Sequence, residues 1–130
     1  MIESWKRLKN ILKRVEEITN ELLRIKLQDL KLLSIKIATN NPTIGSFRIK
    51  GFFKKDTFIE IFEFLFLGKV IKYSYTLVEN EKSILRYDNA PHHQEIHTAP
   101  HHKHLKDQIQ PLKDPQITEF IKEVITIINL

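Results

Sequence analysis

The sequence predicts an α+β fold: a four- or five-stranded antiparallel meander with a long N-terminal helix and a C-terminal helix. Three observations carry this. Apolar residues recur every three or four positions at both ends of the chain, the middle alternates with period two, and short turn signals separate the alternating runs. At 130 residues the chain has the length of one ordinary domain, so residues 1–130 are expected to share a single core.

Trp5, Leu8, Ile11, Leu12, Val15, Ile18, Leu22 and Leu23 form one stripe uninterrupted by proline or glycine, which predicts an amphipathic helix over about 2–26. Lys6, Arg7, Lys9, Lys13 and Arg14 fall in its first half and Glu16, Glu17 and Glu21 in its second, against the preference of the helix dipole. These cations read as a solvated face or as a surface for phosphate or a partner. On the second reading Lys6, Arg7, Lys13 and Arg14 are binding candidates.

The sheet is expected over about 32–88. Leu33, Ile35 and Ile37 alternate with polar or small residues, Asn40-Asn41-Pro42 signals a turn, and Phe47 and Ile49 alternate with Arg48 and Lys50. Thr57 to Phe66 starts with Ile59 and Ile61 on one parity and ends with Phe62, Phe64 and Phe66 on the other. That slip predicts a bulge near Ile61, although burial on both faces reads the same way. Glu63 is expected on the solvent face; the alternative is an inward carboxylate paired with Arg86 or a histidine. After Gly68, a strand with Ile71, Tyr73, Tyr75 and Leu77 on one face leads through a polar loop to Ile84–Tyr87. Tyrosines so placed are more often packing residues than reactive ones. Ile117, Phe120, Ile121, Val124, Ile125 and Ile128 predict the closing helix, about 115–129, with Asp114 as N-cap and Pro115 at its first position.

Charge and composition narrow the functional classes. The 21 Lys and Arg against 16 Asp and Glu give a net charge of +5, which favours encounter with RNA, DNA or an acidic protein surface. There is no cysteine, so thiolate catalysis and Cys-containing zinc sites are excluded and any metal needs nitrogen or oxygen ligands. The longest apolar stretch, Phe58 to Val70, is interrupted by charge and too short for a bilayer, so a cytoplasmic protein with no membrane contact is expected.

All six histidines lie between Asp88 and His104, in DNAPHHQEIHTAPHHKH. Pro91 and Pro100 forbid one continuous helix, so 88–104 reads as an ordered loop over the sheet with a helical turn near His101 to Leu105. Three readings compete. His92, His93, His97, His101, His102 and His104, with Asp88 or Glu95, offer ligands for zinc, nickel or iron, though the spacing is not that of a helical HExxH site. Alternatively, the segment supplies acid–base chemistry on a phosphodiester without a cofactor, which needs a base, an acid and cations; Tyr73, Tyr75, Arg86 and the loop's histidines and Lys103 are of the right types. Finally, Asp88 and Asn89 can form an Asx-type turn while some histidines hold the loop in place. One member of each doublet is expected to be structural, and isolated His97 matters least.

YSYTLV at Tyr73 to Val78, followed by RYDNAPHHQEIHTAPHHKH at Arg86 to His104, resembles the TumE family of toxin–antitoxin toxins. The likeness spans roughly Thr57 to Leu112, with Gln94 and His97 where the family more often has proline. The resemblance implies a small toxin neutralised by a neighbouring antitoxin, usually of helix-turn-helix type. By analogy of size and helix–sheet–helix order with RelE-type toxins, it suggests action on RNA, ribosome-bound or free. Carried over position by position, the family pattern marks Arg86, Asp88, Asn89, His92, His93, His101, His102, Lys103 and His104. The expected activity is that of a metal-independent endoribonuclease with a histidine base, a histidine acid, Arg86 and Lys103 as cations, and Asp88 orienting an imidazole. The alternative is a non-catalytic protein whose histidine loop binds a metal, nucleic acid or a partner.

Overall fold

The computed structural model describes residues 2–24, 30, 32–41, 44–91, 93–113 and 116–128, with side chains at 2–9, 24, 32, 33, 40 and 41 left undescribed. The Lys6 and Arg7 side chains, His92, and the expected cap at Asp114 and Pro115 therefore lie outside the described residues.

The order is α1 (Ile2–Arg24), β1 (Leu32–Asn41), β2 (Ile44–Lys54), β3 (Thr57–Phe66), β4 (Lys69–Glu79), β5 (Lys82–Asp88), β6 (His102–Leu105), β7 (Gln108–Pro111) and α2 (Ile117–Ile128). The strands form one antiparallel sheet in chain order, a meander of seven strands instead of four or five. The additional strands, β6 and β7, replace the helical turn expected near His101 to Leu105. Their alternation is hidden because β6 reads HKHL, with almost no apolar residue to mark the inward side.

Both helices cover the same face. Ile11, Val15, Ile18 and Leu22 of α1 and Ile117, Phe120, Ile121 and Val124 of α2 are buried together with Phe47, Ile49, Ile59, Ile61, Tyr75, Leu77, Leu85 and Tyr87 of the strands. The Phe120 ring stands 5.6 Å from Tyr75 and 5.3 Å from Tyr87. Such burial is worth about 1.5–3 kcal/mol for each large apolar side chain. Gly45 lets α1 approach β2, because a Cβ there would overlap Ile11 Cδ1. The tight β4–β5 connection places Asn80 and Glu81 at φ 52° and 67°, the left-handed pair of a two-residue hairpin turn. Among the described residues no helix is long and apolar enough to cross a membrane.

The bulge expected near Ile61 is absent. β2 and β3 pair without a break from Ile44 opposite Phe66 to Phe52 opposite Phe58, and the irregularity in β3 falls later, between Phe64 and Leu65 against β4. Thr57, Ile59, Ile61, Glu63 and Leu65 alternate inward, and Phe58, Phe62 and Phe64 occupy the opposite face, half-buried. Glu63 thus corrects the solvent-face expectation: it is 0% exposed. Its charge is tolerated because Arg14 donates two hydrogen bonds to it, at 2.7 and 2.8 Å, and the Tyr75 hydroxyl a third at 2.6 Å. The partner is Arg14, not Arg86 or a histidine.

Candidate active site

Strand alternation assigns the histidine region's side chains to two different faces of the sheet. On β5 and β6, Arg86 pairs with His104 and Asp88 with His102, and these four occupy the face away from the helices. Tyr87 and Lys103, one position along, point toward α2.

The segment between β5 and β6 brings His93 against His102 and His104 on the helix-free face. Its start is fixed by side chains that imitate backbone. The Asp88 carboxylate accepts the Ala90 N–H at 3.0 Å, closing an Asx turn. The Asn89 amide accepts the Tyr73 N–H at 3.0 Å and donates to the Ile71 carbonyl at 3.1 Å, extending the β4–β5 ladder by one rung. At its end, the Thr98 hydroxyl donates to the His101 carbonyl at 2.7 Å and accepts the Leu112 N–H at 2.9 Å.

So anchored, three imidazoles meet edge to face. Ring centroids are 4.9 Å apart for His93–His102, 5.5 Å for His93–His104 and 4.9 Å for His102–His104. Asp88, 4% exposed, lies beneath them. One of its oxygens is 3.0 Å from His102 Nε2; the other is 2.9 Å from Arg86 Nε and 3.8 Å from His104 Nε2. His102 is 2% exposed and its Nδ1 lies 2.9 Å from the Pro100 carbonyl. Desolvation lowers the pKa of His104; Asp88 opposes this, while His102, His93 and Arg86 add to it. His93 Nδ1 lies 3.5 Å from Glu95 Oε1.

The other candidates sit across the sheet. Tyr73 OH is 2.7 Å from His101 Nδ1. Tyr75 is bound to Glu63, and Lys103 Nζ donates to both oxygens of Glu123 at 3.2 Å while the Tyr87 hydroxyl donates to the same carboxylate. The expected convergence is therefore divided: His93 and His102, one from each doublet, share a site with Arg86, whereas Tyr73, Tyr75, His101 and Lys103 face the helices. Consecutive residues entering a strand cannot point the same way. Arg14 is engaged with Glu63, Lys13 is exposed on α1, and His97 is exposed on the loop.

Neither the role of Glu123 nor the pairing of Glu63 with Arg14 is among the sequence expectations. The parity of Glu63 with Ile59 and Ile61 was the available signal; for Glu123 the sequence holds none, because its partners arrive from β5 and β6.

Chemically, the cluster offers imidazoles held by a carboxylate, with an exposed guanidinium beside them. His93, His102 and His104 each present a ring nitrogen within 4.8 Å of the others, which suits a cation as well as a proton relay. The His102 Nδ1 bond to a carbonyl is the support a ligating imidazole commonly has.

No curated protein and no solved structure matches the chain. The family model described as toxin TumE matches residues 14–129, well beyond the tyrosine strand and the histidine segment. The chain therefore belongs to the TumE family and is a toxin of a toxin–antitoxin system, a membership that suggests an antitoxin partner.

Proposed function

We propose that this toxin acts by cutting RNA at the His93–His102–His104 cluster, without a cofactor. The observation supporting this is the meeting of three imidazoles and a guanidinium around one buried carboxylate on the sheet face that the helices leave uncovered. His104, whose lowered pKa favours the neutral ring, is the base: it takes the proton of a 2′-hydroxyl, whose oxygen attacks the adjacent phosphorus. The bond from phosphorus to the 5′-oxygen breaks, and that oxygen takes a proton from His93, leaving a 2′,3′-cyclic phosphate and a 5′-hydroxyl. Arg86 spends Nε on Asp88 and turns its terminal nitrogens to the phosphate charge. Asp88 and His102 are positioning residues that hold His104 and Arg86 in place.

The test is incubation of the pure chain with RNA, free and ribosome-bound, followed by analysis of the new ends. Cyclic phosphate ends that disappear in His104→Ala and His93→Ala, together with loss of toxicity in growing cells, are expected. An intact RNA pool, with variants as toxic as the parent, overturns the reading.

A second reading, metal binding without catalysis, rests on the 4.8 Å spacing of the ring nitrogens. Metal analysis of untagged protein separates the two: stoichiometric zinc or nickel, lost in His102→Ala, favours the metal.

A further inference from the structure

The helix-free face carries more than the imidazole cluster. The register lays its side chains in rows across the strands. One row runs Lys36, Arg48, Phe62, Ser74, Asp88, His102; the next runs Ser34, Lys50, Glu60, Thr76, Arg86, His104. Phe52 and Phe58 pair on one flank, with Phe64 and Lys72 on the other. Large half-exposed rings on a sheet face normally invite a second layer of protein, yet both helices pack on the other side.

Cations lie directly on these rings. The Arg48 guanidinium is 4.4 Å from the Phe62 centroid, and Lys50 Nζ is 4.2 Å from that of Phe58 and 5.3 Å from that of Phe52. Of the two acids in the rows, Glu60 is bound to Arg48 at 3.1 Å and Asp88 is buried beneath the histidines. With Asp88 also paired to Arg86, Lys36, Lys50 and Lys72 are the surplus charges of these rows and their flank, and the surface is positive and aromatic together. Flat rings interleaved with cations on an open antiparallel sheet match the needs of an unpaired nucleic-acid strand, whose bases stack while its phosphates take the charges. A duplex hides its base faces and gains only the charges.

We infer that this face is a platform for single-stranded RNA, which crosses β2 to β4 with bases on Phe62 and its neighbours and phosphates on Arg48, Lys50 and Lys72, and reaches the His93–His102–His104 cluster. This rests on RNA being the toxin's target and adds where and in what form it is held.

The experiment measures binding separately from cutting. Full-length His104→Ala protein is titrated into labelled single-stranded oligoadenylate and into an RNA duplex, by fluorescence anisotropy at several salt concentrations. Tighter binding to the single strand is expected. Phe62→Leu, which keeps apolar bulk but loses the ring, should weaken it about tenfold. Lys72→Gln, at an exposed position that leaves the core untouched, should lower the salt dependence by about 0.7 in the log–log slope, the loss of one phosphate contact. Equal affinity for duplex and single strand, or unchanged binding in every folded variant, overturns the platform. So does a set of variants that keep RNA binding but lose the antitoxin, for the face is then the antitoxin's dock. Cleavage by the unsubstituted chain is scored apart, so the platform and the cutting reaction can fail independently.

Discussion

Arg14 of α1 reaches Glu63 of β3 through two hydrogen bonds, at 2.7 and 2.8 Å, and this is how the helix is tied to the centre of the sheet. The carboxylate, its hydrogen bond and its charge raise the Arg14 pKa, while burial works against them. Removing one member leaves a charge in the core. Arg14→Ala is expected to lower stability by about 3 kcal/mol in urea unfolding, and Arg14→Met with Glu63→Leu to recover most of that loss, because no uncompensated charge remains. An Arg14→Ala chain as stable as the parent would refute it.

Alkaline pH should unfold the protein early. Desolvation first, then Glu63, raises the Tyr75 pKa; desolvation, then the hydrogen bond to Glu123, does the same for Tyr87. In the unfolded chain both ionise near pH 10. The folded chain holds their protons longer, so their contribution is complete below about pH 10 and declines as pH rises above it. Melting temperature against pH should show a steep fall there that is shallower in Tyr75→Phe and Tyr87→Phe.

His104 should set the acidic limb of any cleavage profile. Since desolvation lowers its pKa, the neutral ring persists below the ordinary value of 6.5, and kcat/KM should reach its plateau at a correspondingly lower pH. His104→Gln is expected to cost roughly a hundredfold or more in rate. An acidic limb unmoved by that substitution excludes His104 as the base.

Thr57 is buried and its hydroxyl has no partner among the described residues. Thr57→Val removes the unsatisfied group at nearly constant shape and should raise stability by about 1 kcal/mol. Urea unfolding with an unchanged midpoint would count against it.

Much of this architecture was legible in the sequence because its signals are periodic. The stripe from Ile11 to Leu22 and that from Ile117 to Val124 identify both helices, and the alternation of Ile71, Tyr73, Tyr75 and Leu77 identifies an inward strand face. β6 was not legible, since HKHL carries no contrast of polarity for a period of two to act on. The same silence hides which member of the second doublet faces which way, when strand geometry sends His101 to Tyr73 and His102 to Asp88. Glu63 reads as solvent-facing because three phenylalanines of the other parity outweigh a single acid, and the compensating guanidinium lies 49 residues away.

Each strand of the sheet pairs with its neighbours in the chain, so the sheet can grow in the order of synthesis. The ring-bearing strands leave the ribosome early, and the strand holding His102 and His104 comes sixth. A nascent chain stopped before residue 102 already owns β2 to β4 but no complete imidazole cluster. On the proposed reading the cutting centre is thus among the last parts of the sheet to be made, and a chain terminated before residue 102 is expected not to cut RNA.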